Sequence, residues 1–229
     1  MNAMPALRSF TLYGCVNEVP ACLGDWGLKH LALGFCNQLE NLAAIFLRLA
    51  SLETLHIENL STLQELPVMG AMTRLTSLTL HCCALKELPC FGGMTALRHL
   101  SLQNLHTLTR LPSSMDKLAG LRSLRLVWCR GITELPSIGR LLSLETLHIE
   151  NCALWELPAS IAVLMDLHTL MLASLPRLRV LPTSIGALTA LTKLTLCDCA
   201  LTDVPSVIES LTQLCTLALD MRAAPRQDV

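Results

Sequence analysis

Leucine recurs along this chain at a spacing that leaves little freedom in how it can fold. The pattern L-x-x-L-x-L-x-x-[C/L]-x-x-L-x-x-L-P-x-x-I-G-x-L-x-x opens at Leu7, Leu28, Leu52, Leu75, Leu97, Leu121, Leu144, Leu167, Leu191 and Leu214, in steps of 21 to 24 residues. A period of that length, held from end to end, predicts a stack of like units in which each unit buries its apolar face only against its neighbours.

The unit itself is readable. In L-x-L, as at Leu124-Arg125-Leu126 and Leu170-Met171-Leu172, leucine alternates with other residues at period two, the signature of a short strand with one buried face. Strands of successive units lie side by side as a parallel sheet about 4.8 Å apart, and a parallel pair needs a crossover. The remainder of each repeat supplies it. Leucine-proline steps at 66–67, 88–89, 111–112, 135–136, 157–158 and 181–182 push that crossover towards extended turns, because proline lacks a donor and restrains its predecessor. Ile138-Gly139 and Ile185-Gly186 then add an apolar anchor and a flexible turn. Short 3₁₀ or irregular segments are therefore expected on the convex side. Repeat 2 departs from this, with a helix-favouring stretch at 42–49 where the leucine-proline step would fall.

The ninth repeat position is Cys15, Cys36, Cys83, Cys129, Cys152 and Cys199, with Leu60, Leu105 and Leu175 in the other repeats. A column of cysteines can suggest redox or metal chemistry, but free cysteine is also a small residue that favours the interior. A ladder of buried free thiols accounts for the column. The chain holds 11 cysteines, an odd number, without disulfide-type spacing, which fits a reducing compartment.

Composition agrees with a layered core. Hydrophobic residues make up 52% of the 229 positions but aromatics only 3% and charged residues 15%, so the core is built almost wholly from leucine. Mean hydropathy is positive, which raises the question of a membrane. Arg48, Asp166 and His168 interrupt the most apolar stretches, 43–52 and 161–175, below the roughly 18 residues that a spanning helix needs. The first residues show no basic region followed by an apolar run, so no signal peptide is read. A net charge of −1 lacks the basic excess that nucleic acid or an anionic membrane demands. No nucleophile elbow, paired carboxylates or phosphate loop is present, so no catalytic role is expected.

The repeat L-x-x-L-x-L-x-x-C-x-x-L-x-x-L-P-x-x-I-G-x-L is similar to the leucine-rich repeats of plant intracellular nucleotide-binding disease-resistance proteins. It also resembles the plant Ras-group and oomycete repeat proteins. The resemblance implies an α/β leucine-rich-repeat solenoid, a horseshoe with a parallel concave sheet, about ten repeats over residues 1–221 and a polar tail at 222–229. It implies a cytoplasmic protein-binding array, ligand-sensing or regulatory, in an immune-receptor-like protein of defence signalling. A stand-alone scaffold or regulator of a GTPase, phosphatase or ubiquitin ligase is the competing reading. No cofactor or metal is expected. Neither end offers an evident capping module, so the chain is expected to be part of a larger protein, a truncated product or an array capped by a partner.

Residues flanking the strand leucines should form columns on the concave face. These are Thr54, Ser77, His99, Ser123, Thr146 and Thr169; then His56, Thr79, Ser101, Arg125, His148 and Met171; then Glu58, His81, Gln103, Val127, Glu150 and Ala173. A solvated strand face accounts for most of them. Repeat 6 differs, with Arg122, Arg125 and Trp128 combining arginine and tryptophan, residue types that dominate interface energetics. The expected protein-binding set is His56, Glu58, His81, His99, Gln103, Arg122, Arg125, Trp128, His148 and Glu150. Repeats 3 and 7 share the string SLETLHIEN, at 51–59 and 143–151. That string is a duplicated His-Glu pair, or simply the mark of block duplication. His56, His81 and His99 fall in three different columns without the spacing of a metal site.

Overall fold

The computed structural model describes residues 4, 6–14, 16–39, 42–202 and 206–220. Cys15 and the polar tail at 222–229 lie outside the described residues. Ten strands form one parallel sheet in chain order. They are β1 (Ser9–Tyr13), β2 (His30–Gly34), β3 (Thr54–Glu58), β4 (Ser77–His81), β5 (His99–Gln103), β6 (Ser123–Val127), β7 (Thr146–Glu150), β8 (Thr169–Leu175), β9 (Lys193–Cys199) and β10 (Thr216–Asp220). This is the solenoid the period predicted. Every leucine-flanking column falls into register: His56 opposes Thr79, Thr79 opposes Ser101, Ser101 opposes Arg125, and Arg125 opposes His148.

The crossovers follow the proline logic. Short 3₁₀ turns start directly after Pro20, Pro112, Pro158 and Pro182, at Ala21–Asp25, Ser113–Lys117, Ala159–Val163 and Thr183–Ala187. Each of these prolines is extended and leads the chain off the strand face before the turn begins. Repeat 2, which lacks the leucine-proline step, instead forms a short α-helix, α1 (Leu42–Phe46). The glycines of the Ile-Gly steps serve a different purpose from the flexible turn expected. A Cβ on Gly186 would stand 2.8 Å from Val207 and one on Gly139 3.2 Å from Ser160, so these positions let neighbouring convex turns approach closely.

Strand leucines and convex anchors merge into one continuous core, with Leu124, Leu126, Leu147, Ile138 and Ile185 fully buried. Burial fades at both ends of the sheet: Phe10 and Leu12 are half-buried, and Leu217 is 44% exposed. The cysteine column is confirmed as interior. Cys36, Cys83, Cys129, Cys152 and Cys199 are all buried free thiols. Each donates to the carbonyl two residues before it, as Cys36 Sγ does to Gly34 O at 3.0 Å and Cys152 Sγ to Glu150 O at 3.5 Å. Cys129 and Cys199 also reach a carbonyl of the preceding repeat, Leu102 O and Leu172 O, each at 3.5 Å. A weak thiol donor thus covers the backbone where the strand leaves the sheet.

Burial pushes the Cys83 thiol up and lifts Cys199 to about 11, so these groups are neutral. Cys90 is exposed, and its thiol lies below the ordinary value because Ser114, the Gly92 backbone and Lys117 favour the thiolate. Two outcomes are expected. In native protein near pH 8, Cys90 should react with iodoacetamide before any ladder cysteine, by mass spectrometry of digests, and Cys83 and Cys199 should react only once the chain unfolds. Leu124→Ala should lower the unfolding free energy by about 2–5 kcal/mol in urea, because the buried layer cannot collapse around the lost side chain.

Candidate recognition surface

The face of the sheet opposite the leucines carries the expected residues, because strand side chains alternate between faces. At or near the end of eight strands, β2 to β9, the chain makes one residue of left-handed backbone. Phe35, Asn59, Cys82, Asn104, Trp128, Asn151, Ser174 and Asp198 have φ between 50° and 58°. All are the eighth residue of their repeat. Their N–H groups extend the sheet by one rung, from Asn104 to Val127 O at 2.8 Å and from Trp128 to Glu150 O at 2.9 Å. Asparagine and aspartate tolerate this conformation, but for a bulky side chain it is strained. Trp128 and Phe35 therefore occupy positions that backbone energetics assigns to asparagine.

Trp128 is 37% exposed, and the Arg130 guanidinium lies 4.9 Å from its ring centroid, a cation–π contact. Arg125 stands exposed in the middle of β6, between Ser101 and His148. Arg122 does not join them. It lies six residues before Trp128, about 20 Å away along an extended strand, and is ion-paired with Glu145 at 2.9 Å. The arginine beside Trp128 is Arg130, which the W-C-R spacing signalled and the strand columns passed over.

The histidines and glutamates form local pairs. His56 Nε2 lies 3.1 Å from Glu58 Oε2, and His81 Nδ1 approaches the same oxygen at 3.9 Å. Asn104 Nδ2 donates to His81 Nε2 at 2.9 Å, and the Gln103 amide donates to Ser101 Oγ at 2.9 Å. His99 is exposed at the other end of β5. No three His, Cys, Asp or Glu side chains are arranged to hold a metal ion among the described residues. At the first strands Tyr13 and Phe35 form a tilted aromatic pair with centroids 6.3 Å apart, both about half exposed. Gly34 makes room for it, since a Cβ there would meet the Tyr13 ring at 2.3 Å. Carrying the columns back into repeats 1 and 2 is the signal that finds this pair.

The two copies of SLETLHIEN diverge in their surroundings. His56 sits between Ala32 and Thr79, whereas His148 sits between Arg125 and Met171. The His148 side chain is 14% exposed against 36% for His56. Desolvation holds the His148 pKa below its ordinary value of 6.5 and the Arg125 charge lowers it further, against the opposing hydrogen bond to Glu150. A histidine with a depressed folded pKa favours folding above 6.5 and loses that contribution as pH falls through the folded pKa.

Comparison with known proteins identifies the class. A model of the leucine-rich repeat region matches residues 77–228, and the chain belongs to the leucine-rich-repeat family, whose members act as protein-interaction modules. A curated relative is Protein SUPPRESSOR OF npr1-1, CONSTITUTIVE 1 of Arabidopsis thaliana, 27% identical over 190 residues. That match covers 73% of this chain and 13% of the relative's length. The leucine-rich repeat domain of the type III effector XopL is 29% identical with a TM-score of 0.61, over 82% of this chain and 72% of that one. The TLR13 chain of a TLR13–ssRNA13 complex shares the fold at 22% identity and a TM-score of 0.69, over 93% of this chain and 36% of that one. No helix among the described residues is long and apolar enough to cross a membrane.

NMR titration of the histidine ring protons should place the His148 midpoint below 6.5, and Arg125→Gln should move it upward by removing a neighbouring positive charge. A midpoint at or above 6.5 in the unmodified protein contradicts this environment.

Proposed function

We propose that this chain is the recognition array of a defence-signalling protein of the immune-receptor type, working in the cytoplasm and gripping a protein partner on the concave face around repeat 6. The observation that carries the contact zone is Trp128. It is exposed, held in a left-handed conformation that costs of order 1–3 kcal/mol, and topped by Arg130. Folding does not need tryptophan at this position, because Asn59, Asn104 and Asn151 fill the equivalent turns. A strained aromatic with an arginine against its ring is the composition of an interface anchor.

Arg125 extends the anchor along β6, and His148, Glu150, Gln103 and His81 surround it with polar groups that fix orientation. The likeness to the Arabidopsis relative supports the defence setting. The net charge of −1 favours a protein over a polyanion. The chain takes part in signalling by holding a protein and needs no cofactor for it.

Trp128→Asn separates the two demands on this residue. Thermal and urea unfolding should show stability unchanged or raised by up to about 1 kcal/mol, because left-handed strain is relieved. Affinity-purified chain carrying Arg125→Glu and Trp128→Ala should lose the partner that the unmodified chain recovers, scored protein by protein by mass spectrometry. Recovery of the same partner at the same yield would sink the repeat 6 assignment.

A further inference from the structure

A second candidate surface lies on the flank of the solenoid, where the chain descends from the strands towards the leucine-proline steps. Two exposed columns run along it. The residue directly before the leucine of that step is Glu65, Glu87, Arg110, Glu134 and Glu156 in successive repeats, and the residue before those is Gln64, Lys86, Thr109, Thr133 and Trp155. The carboxylate column is thus acidic, and its one basic member, Arg110, is ion-paired with Glu87 at 2.7 Å.

Repeat 8 reverses this. The carboxylate position becomes Val180, 71% exposed, and Arg179 stands before it. Arg177 lines the same groove as Arg179 and Val180, with the buried Leu178 between the two arginines. Neither arginine forms an ion pair with a described residue. In the preceding repeat Trp155 is 50% exposed. Between these repeats runs an open groove of about 460 Å³, lined by Trp155, Glu156, Arg177, Arg179, Val180 and Pro182.

A large aromatic and a branched aliphatic side chain exposed in one groove, with two guanidinium groups that have no ion-pair partner among the described residues, fit a ligand that has both an apolar side chain and carboxylates. Glu156 and Glu134 on the same flank repel phosphates, which disfavours a nucleic acid or an anionic membrane and orients an acidic ligand away from repeat 7. We infer that the groove between repeats 7 and 8 is a second protein-docking site, which takes an extended peptide segment with a bulky apolar residue followed by acidic ones. The apolar side chain packs on Trp155 and Val180, and the carboxylates lie on Arg177 and Arg179. This site is separate from the repeat 6 face. Trp155 follows β7 by five residues and Val180 follows β8 by five, so both stand off the strand surface that carries Arg125.

The probe is a short fluorescein-labelled Gly-Ser peptide with Phe-Asp-Glu at its centre, titrated by fluorescence anisotropy against the whole chain. Control peptides lack either the phenylalanine or the two acids. The unmodified chain should bind the complete peptide and should bind both controls about tenfold more weakly. Arg177→Glu with Arg179→Glu, and separately Trp155→Ala, should each weaken the complete peptide about tenfold or more, while Arg125→Glu with Trp128→Ala leaves it unchanged. All variants change exposed residues, and circular dichroism with thermal unfolding confirms that they fold. No saturation below about 1 mM overturns the inference, as does binding indifferent to the flank variants. Equal loss in the repeat 6 variant also overturns it, by moving the peptide to the concave face. Because the two variant sets do not overlap, failure here leaves the repeat 6 reading standing, and the reverse also holds.

Discussion

The structure depends on one constraint: a single repeat of this chain cannot bury its own leucines. Leu124 and Leu126 point from the same side of β6 and are fully covered only because repeats 5 and 7 present the same layer on either side. Hydrophobic burial therefore enforces register as well as stability, since a one-residue slip of any strand would turn its leucines to solvent. The columns on the opposite face exist because the buried face is kept in step. The layer opens at the last described strand, where Leu217 is 44% exposed.

Polar requirements are met by equally repetitive means. In eight repeats the eighth residue is left-handed, and in six of them its N–H adds one more rung beyond the strand. In five described repeats the next residue is a buried thiol that donates to the carbonyl two residues before it. A cysteine does here what an amide side chain can do more strongly, and its small volume lets it sit inside the leucine layer. Against this regular background the departures stand out. Trp128 and Phe35 replace the residue types that left-handed backbone accepts at least cost, and Val180 with Arg177 and Arg179 breaks an acidic stripe. A repeat array acquires specificity through such departures, because its framework constrains only the inward positions.

Much of the fold was legible in the residues. The period placed all ten strands, the prolines anticipated the short convex turns, and the missing leucine-proline step of repeat 2 coincides with α1. The columns opposite the leucines align in register as the period-two pattern requires, although Val127 and Ala173 in the third column are buried. The candidate recognition surface was legible only in part. Arg122 and Trp128 are close in sequence but sit at opposite ends of a strand, so Arg122 pairs with Glu145 and Arg130 takes its place beside the ring. The glycines of the Ile-Gly steps looked like hinges and proved to be points of close approach between repeats.

The sequence by itself determined the architecture, because a leucine every 21 to 24 residues in a strand-and-crossover pattern buries its apolar surface in only one way. Tertiary structure alone decided the environment of each exposed side chain. The clearest case is SLETLHIEN, one string in two places: flanked by Ala32 and Thr79 its histidine stands open, and flanked by Arg125 and Met171 it is desolvated and its pKa falls. Local sequence is identical in the two copies. What differs is the strand on either side, more than 20 residues away along the chain and about 4.8 Å away across the sheet.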